Sequence, residues 1–123
     1  MPEKDVLIVD DEGDVREVFV GILESNGYTV DLAGTMAEAK GLLAVHHYVV
    51  VLVDWRLPDG DGAVIANLAA EVGSHAFVMS GYLREMLPGN VDPRQTIMKP
   101  IRSAELLAMV HACVGAAPTR KEN

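Results

Sequence analysis

An α/β fold, one parallel sheet covered on both faces by helices, is predicted by three observations. Short runs such as VLIV (residues 6–9) and YVVVLV (residues 48–53) are apolar at consecutive positions, the pattern of strands buried on both faces. Stretches with apolar residues at helical spacing separate these runs, and repeated strand–helix units put parallel strands between two layers of helices. The chain has 123 residues, half of them apolar, which suits one domain with a substantial core.

The first strand is DVLIV, residues 5–9. Val15, Val18, Phe19, Ile22 and Leu23 then form one helical stripe, and Gly27 stands where a C-terminal cap belongs. YTVDL is the second strand. Thr35 and Glu38 frame a T-x-x-E capping box, opening a helix that buries Met36, Ala39, Leu42 and Leu43. YVVVLV is the third strand, and a helix over residues 61–72 follows, with Val64, Ile65, Leu68 and Val72 inward. AFVM is the fourth strand and QTIM the fifth, which makes Met79 and Met98 core residues. Ser103 is placed to cap a last helix whose inner stripe is Leu106, Met109, Val110, Cys113 and Val114. Right-handed crossovers then point to a flavodoxin-like (βα)5 three-layer sandwich with strand order 2-1-3-4-5. GYLREMLPGNVDPR, residues 81–94, breaks the rhythm. A short helix over residues 82–87 would stop at Pro88-Gly89, so the fourth helix is expected to be short or irregular.

Composition excludes several function classes. The formal net charge of −8 argues against direct binding to nucleic acid or anionic membrane, which needs clustered Lys and Arg. No apolar run reaches the length of a membrane span, and MPEKD has no signal-peptide pattern. Cys113 is the one cysteine, so no internal disulfide forms, and a reducing cytoplasmic setting fits. The expected domain covers residues 1–117, with residues 118–123 as a flexible tail.

In an open parallel sheet, ligands bind beyond the carboxyl ends of the strands, where the strand order reverses. Asp10 and Asp11 follow the first strand, Asp54 the third, Ser80 the fourth and Lys99 the fifth. Three carboxylates, a hydroxyl and an ammonium are thus expected on one rim. Crowded carboxylates repel and would take up protons unless a cation sat among them. Oxygen-only ligands on a partly solvated rim suit a hard ion such as Mg²⁺. A divalent cation, a lysine and a hydroxyl together suit a phosphoryl group, and Asp54 on its rigid strand is placed to act as the nucleophile.

VLIVDDE, LVDWRLPDGDG, VMSGY and IMKP, in this order and spacing, resemble the response-regulator receiver domain of two-component signalling over residues 5–115. The resemblance implies that Asp54 is phosphorylated from a histidine kinase or a histidine phosphotransfer protein. It implies that Asp11 and Asp54 bind Mg²⁺ directly with the backbone carbonyl of Arg56, and Asp10 largely through water. Ser80 would hydrogen-bond the phosphoryl group, Lys99 would pair with one of its oxygens, and the Lys99-Pro100 peptide would be cis. A phosphorelay switch of this kind controls a partner protein or an attached output domain, and a homodimer is compatible with it. The protein is then its own substrate, so the word enzyme fits loosely. Thr96 stands three residues before Lys99, where the family commonly carries an aromatic side chain. The short, irregular segment before it is similar to that of receivers in hybrid kinases.

A pseudo-receiver, the same fold used as an unphosphorylated docking module, is the alternative. A phosphohydrolase with an aspartyl-phosphate intermediate typically has a second aspartate two residues beyond the nucleophile, where this chain has Arg56. Asp59, Gly60, Asp61 and Gly62 lack calcium-loop spacing from Asp54 and read as a turn and a helix start. Glu12 reads as a helix N-terminal charge without a further role. Arg56 and Tyr82 would flank the phosphorylation site. Trp55 points away from Asp54 by strand alternation. His46, His47, His75 and His111 form no zinc pattern with Cys113, which reads as an inert core residue.

Overall fold

The computed structural model describes residues 3–81, 96–99 and 101–115. In chain order the elements are β1 (Glu3–Val9), α1 (Gly13–Ser25), β2 (Val30–Ala33), α2 (Met36–Val45), β3 (His47–Asp54), β4 (Arg56–Leu57), β5 (Gly60–Asp61), α3 (Gly62–Glu71), β6 (His75–Ser80), β7 (Thr96–Met98) and α4 (Ser103–Val114). Five strands make one parallel sheet in the order β2-β1-β3-β6-β7. This is the expected 2-1-3-4-5 order. The antiparallel pair β4–β5, which the sequence reading did not anticipate, accounts for the difference in numbering. The expected fourth helix, Tyr82 and the Lys99-Pro100 peptide lie outside the described residues, and four helices are present among those described.

Strand alternation builds two cores. Leu7, Val9, Val51, Val53 and Val78 point to one face and pack against α2 and α3. Val6, Ile8, Val50, Leu52 and Met79 point to the other and pack against Phe19 and Leu23 of α1 and Leu106, Val110 and Val114 of α4. A strand buried on both sides has no polar face, which explains the unbroken apolar runs.

The helix ends show where local signals held. Gly27, at φ 88°, closes α1, and its N–H donates to the carbonyl of Glu24 at 3.0 Å. Thr35 Oγ1 accepts the Glu38 N–H at 3.1 Å, as the capping box requires. The Glu38 carboxylate, however, turns back to the N–H of Gly34 at 2.6 Å instead of that of Thr35. The carboxylate of Asp59 completes the cap by accepting the N–H groups of Met36 and Ala37 at 2.8 and 3.1 Å. At α4 the expected cap shifts by one residue. Ser103 is the first helical residue, Arg102 holds the N-cap position, and Glu105 accepts the Arg102 N–H at 3.1 Å.

The inward face of α3 differs from expectation. Ala63, Ile65, Ala66 and Ala69 are buried, whereas Val64, Leu68 and Val72 lie on solvent. Three alanines let the helix approach the sheet closely, and the branched side chains that hydropathy alone sends inward are turned out. Val18 of α1 and Met98 of β7 are likewise exposed, contrary to their assignment to the core.

Candidate functional site

Each strand end at the rim is pinned by backbone hydrogen bonds. The N–H of Asp10 donates to Ala33 at 3.0 Å, that of Trp55 to Met79 at 2.9 Å, and that of Lys99 to Ser80 at 2.7 Å. These bonds align the ends of β1, β3, β6 and β7, so Asp10, Asp54, Ser80 and Lys99 arrive together although they are far apart in sequence. Gly62 seats the far side of the Asp54 turn. Its N–H donates to the carbonyl of Trp55 at 2.6 Å, and a Cβ there would fall 1.9 Å from the carbonyl oxygen of Asp54. Only glycine permits that approach.

The result is a cleft of about 390 Å³ lined by Asp11, Asp54, Arg56, Ser80 and Lys99, with Glu12 and Trp55 at its margin. Lys99 Nζ is 3.1 Å from Asp54 Oδ2, 3.7 Å from Asp10 Oδ2 and 3.8 Å from Glu12 Oε1. The Arg56 N–H approaches Asp54 Oδ1 at 3.4 Å, a long contact. Burial alone would lower the Lys99 pKa. The hydrogen bond to Asp54 and the charges of Asp10, Asp54 and Glu12 outweigh it and hold the ammonium above its ordinary value. Asp10 is pushed up, chiefly by burial, against the pull of the Glu12 N–H and Lys99.

The carboxylates fit a hard divalent cation. Asp10, Asp11 and Asp54 each present an oxygen within 4.8 Å of the others. Asp10 is fully buried. Its Oδ1 accepts the Glu12 N–H at 2.9 Å, but among the described residues its Oδ2 has no hydrogen-bond partner. An orphaned buried carboxylate oxygen is costly unless something positive completes it, and Lys99 at 3.7 Å does so only in part. Three oxygen donors on a rim open to water suit Mg²⁺, which keeps part of its hydration shell.

Asp10, Asp11, Asp54, Ser80 and Lys99, expected on one rim, all lie there. Glu12, expected to have no further role, faces Lys99 in the fold. Its adjacency to the Asp10–Asp11 pair was the available signal. Trp55, expected to point away from Asp54, packs against the core but also borders the Asp54 cleft and carries the Arg56 guanidinium 5.2 Å from its ring centroid. Thr96 is buried in β7, in register with Val78. On the other side of Lys99 lies a mostly apolar groove of about 510 Å³, lined by Val15, Val18, Phe19, Met79 and Ile101.

Known proteins share this architecture. A family model of the response regulator receiver domain matches residues 6–111. The chain is 40% identical over 62 residues to the transcriptional regulatory protein PmrA of Pectobacterium parmentieri, a stretch covering 50% of this chain and 28% of that protein. It is 29% identical over 119 residues to the phosphate regulon transcriptional regulatory protein PhoB of Pseudomonas aeruginosa, covering 91% of this chain and 52% of PhoB. The crystal structure of a CheY-like response regulator receiver domain protein from Methanospirillum hungatei JF-1 superposes with a TM-score of 0.80 at 26% identity, over 94% of this chain and 97% of that one. The chain spans about half the length of most curated relatives it matches. No helix among the described residues is long and apolar enough to cross a membrane. With the matched stretch running from the first strand into the last helix, this chain belongs to the response regulator receiver domain family of two-component systems.

Proposed function

We propose that Asp54 accepts a phosphoryl group from a phosphohistidine on a histidine kinase or phosphotransfer protein, in a magnesium-dependent reaction. The observation that carries this reading is the Asp54 carboxylate held 3.1 Å from Lys99 beside the Asp10–Asp11 pair. A carboxylate oxygen of Asp54 attacks phosphorus as the P–N bond to the donor histidine breaks. The bonding pair returns to the imidazole nitrogen. Lys99 exchanges part of its pairing with Asp54 for a phosphoryl oxygen, and Ser80, buried at the end of β6, donates its hydroxyl to another. Asp10, Asp11, Asp54 and the Arg56 carbonyl would hold magnesium, which would supply positive charge to the phosphoryl oxygens.

Phosphorylation adds negative charge to a rim already rich in carboxylates and shifts the balance between two conformations. The apolar groove beside Lys99, with Val18 exposed on its wall, suits a protein donor. The receiver unit acts in the cytoplasm on a partner protein or an attached output domain; the expected tail, residues 118–123, lies outside the described residues.

Incubation with acetyl phosphate and Mg²⁺, followed by intact-mass measurement, tests the reading. The wild-type chain should gain the mass of one phosphoryl group, lose it in alkali, and gain nothing as Asp54→Asn. A wild-type chain that stays unmodified would overturn the proposal in favour of the unphosphorylated docking module.

A further inference from the structure

Val64, Leu68 and Val72, turned outward on α3, are 42%, 39% and 57% exposed. Spaced four residues apart, they stand above one another as a ridge about 12 Å long. Val45, at the end of α2, is 55% exposed. Between the two helices runs a groove of about 230 Å³ with Leu43, Ala44, Leu68 and Val72 as its apolar lining and Lys40 and Glu71 as its charged lining. Scattered surface hydrophobics are ordinary, but a contiguous set along two neighbouring helices marks a surface that meets something.

Charge identifies the occupant. The chain carries a net charge of −8, so most approaches of one copy to another are repulsive. The α2–α3 face carries little of that charge. Along these helices stand only Glu38, Lys40 and Glu71, and Glu38 is folded back on the N–H of Gly34. The groove itself holds one cation and one anion. An isologous contact needs a patch complementary to itself. A two-fold axis along this groove would set α2 of each copy against α3 of the other and bring Lys40 toward Glu71 of the second copy.

We propose that the α2–α3 face pairs two copies of this chain in a weak isologous dimer. Helices of ten residues are about 15 Å long. The contact therefore belongs at or below the lower end of the ~1,200–2,000 Å² that specific complexes bury, and the dimer dissociates on dilution.

Sedimentation velocity of the full chain from about 5 to about 500 µM tests this, the range being set by so small a contact. The weight-average mass should climb from one chain toward two. Leu68→Glu and Val72→Glu should each remain monomeric throughout, with an unchanged far-ultraviolet spectrum and unchanged phosphorylation by acetyl phosphate. Lys40→Glu should weaken pairing at least tenfold, and adding Glu71→Lys to it should restore most of the loss. A wild-type chain that stays monomeric, a dimer that survives Leu68→Glu, or a charge reversal that fails to restore pairing would each overturn the proposal.

Discussion

Lys99 Nζ lies 3.1 Å from Asp54 Oδ2 and 3.7 Å from Asp10 Oδ2, so one ammonium from β7's end serves carboxylates delivered by two other strands. Among the described residues it is the one lysine on a rim with four carboxylates, counting Asp11 and Glu12.

Lys99→Met should therefore slow phosphorylation of Asp54 by acetyl phosphate by about 100-fold, the scale of losing one preorganised electrostatic contact to developing charge. Single-turnover kinetics under saturating donor measure it. A loss below threefold would remove Lys99 from the transfer step.

Divalent cation should stabilise the folded chain. At free Mg²⁺ about 100 times its dissociation constant, linkage gives ~2.7 kcal/mol, visible as a rise in thermal midpoint. Asp11→Asn should abolish most of that rise, because it removes one of three converging oxygens. Asp10→Asn should stabilise the metal-free chain, since it removes a buried carboxylate with an orphaned oxygen, yet blunt the response to Mg²⁺. Opposite signs with and without metal separate this from ordinary packing damage.

Gly62→Ala should be disruptive far beyond its size. The added Cβ meets the Asp54 carbonyl oxygen, so the start of α3 or the Asp54 turn must move. A loss of about 1–3 kcal/mol in urea unfolding is expected, the range for overpacking. A fall in phosphorylation rate should accompany it even where the chain remains folded.

Stability should fall in acid through a pair remote from the site. The buried Tyr48 donates its hydroxyl to Asp31 at 2.5 Å, and Lys4 pairs with the same carboxylate at 3.2 Å. Burial opposes ionisation of Asp31, but these two partners outweigh it and hold its pKa below the ordinary 3.8. The folded carboxylate thus binds its proton less tightly than the unfolded one. Its contribution is complete above that ordinary value and fades as pH falls through the lower folded one. Tyr48→Phe should cost ~1–2 kcal/mol at neutral pH. Denaturant midpoints of mutant and wild type should converge as the pH drops toward 2, a value set by the linkage range for a paired aspartate.

The sequence by itself determined the sheet and the five rim residues. A parallel strand buried on both faces has to be apolar at every position, so each polar side chain that ends such a run is conspicuous, as Asp10, Asp54 and Ser80 are. Strand order follows from right-handed crossovers, and the strand ends then share one edge. Local caps were legible for the same reason: Thr35 and Gly27 act on backbone groups within four residues.

Only the tertiary structure decided what depends on distance or on rotation. The bonds from Asp59 to Met36 and Ala37 span more than twenty residues, and no local pattern announces them. Glu12 gains its partner from the far end of the sheet. The rotation of α3 was illegible because hydropathy ranks valine and leucine above alanine for burial. In the fold, α3 lies with Gly62, Ala63, Ile65, Ala66 and Ala69 on its buried side, and Gly62 approaches the Asp54–Trp55 backbone too closely for any Cβ. In that phase Val64, Leu68 and Val72 face solvent, because the fit of small residues against the sheet, which hydropathy does not register, decides which side of the helix is covered.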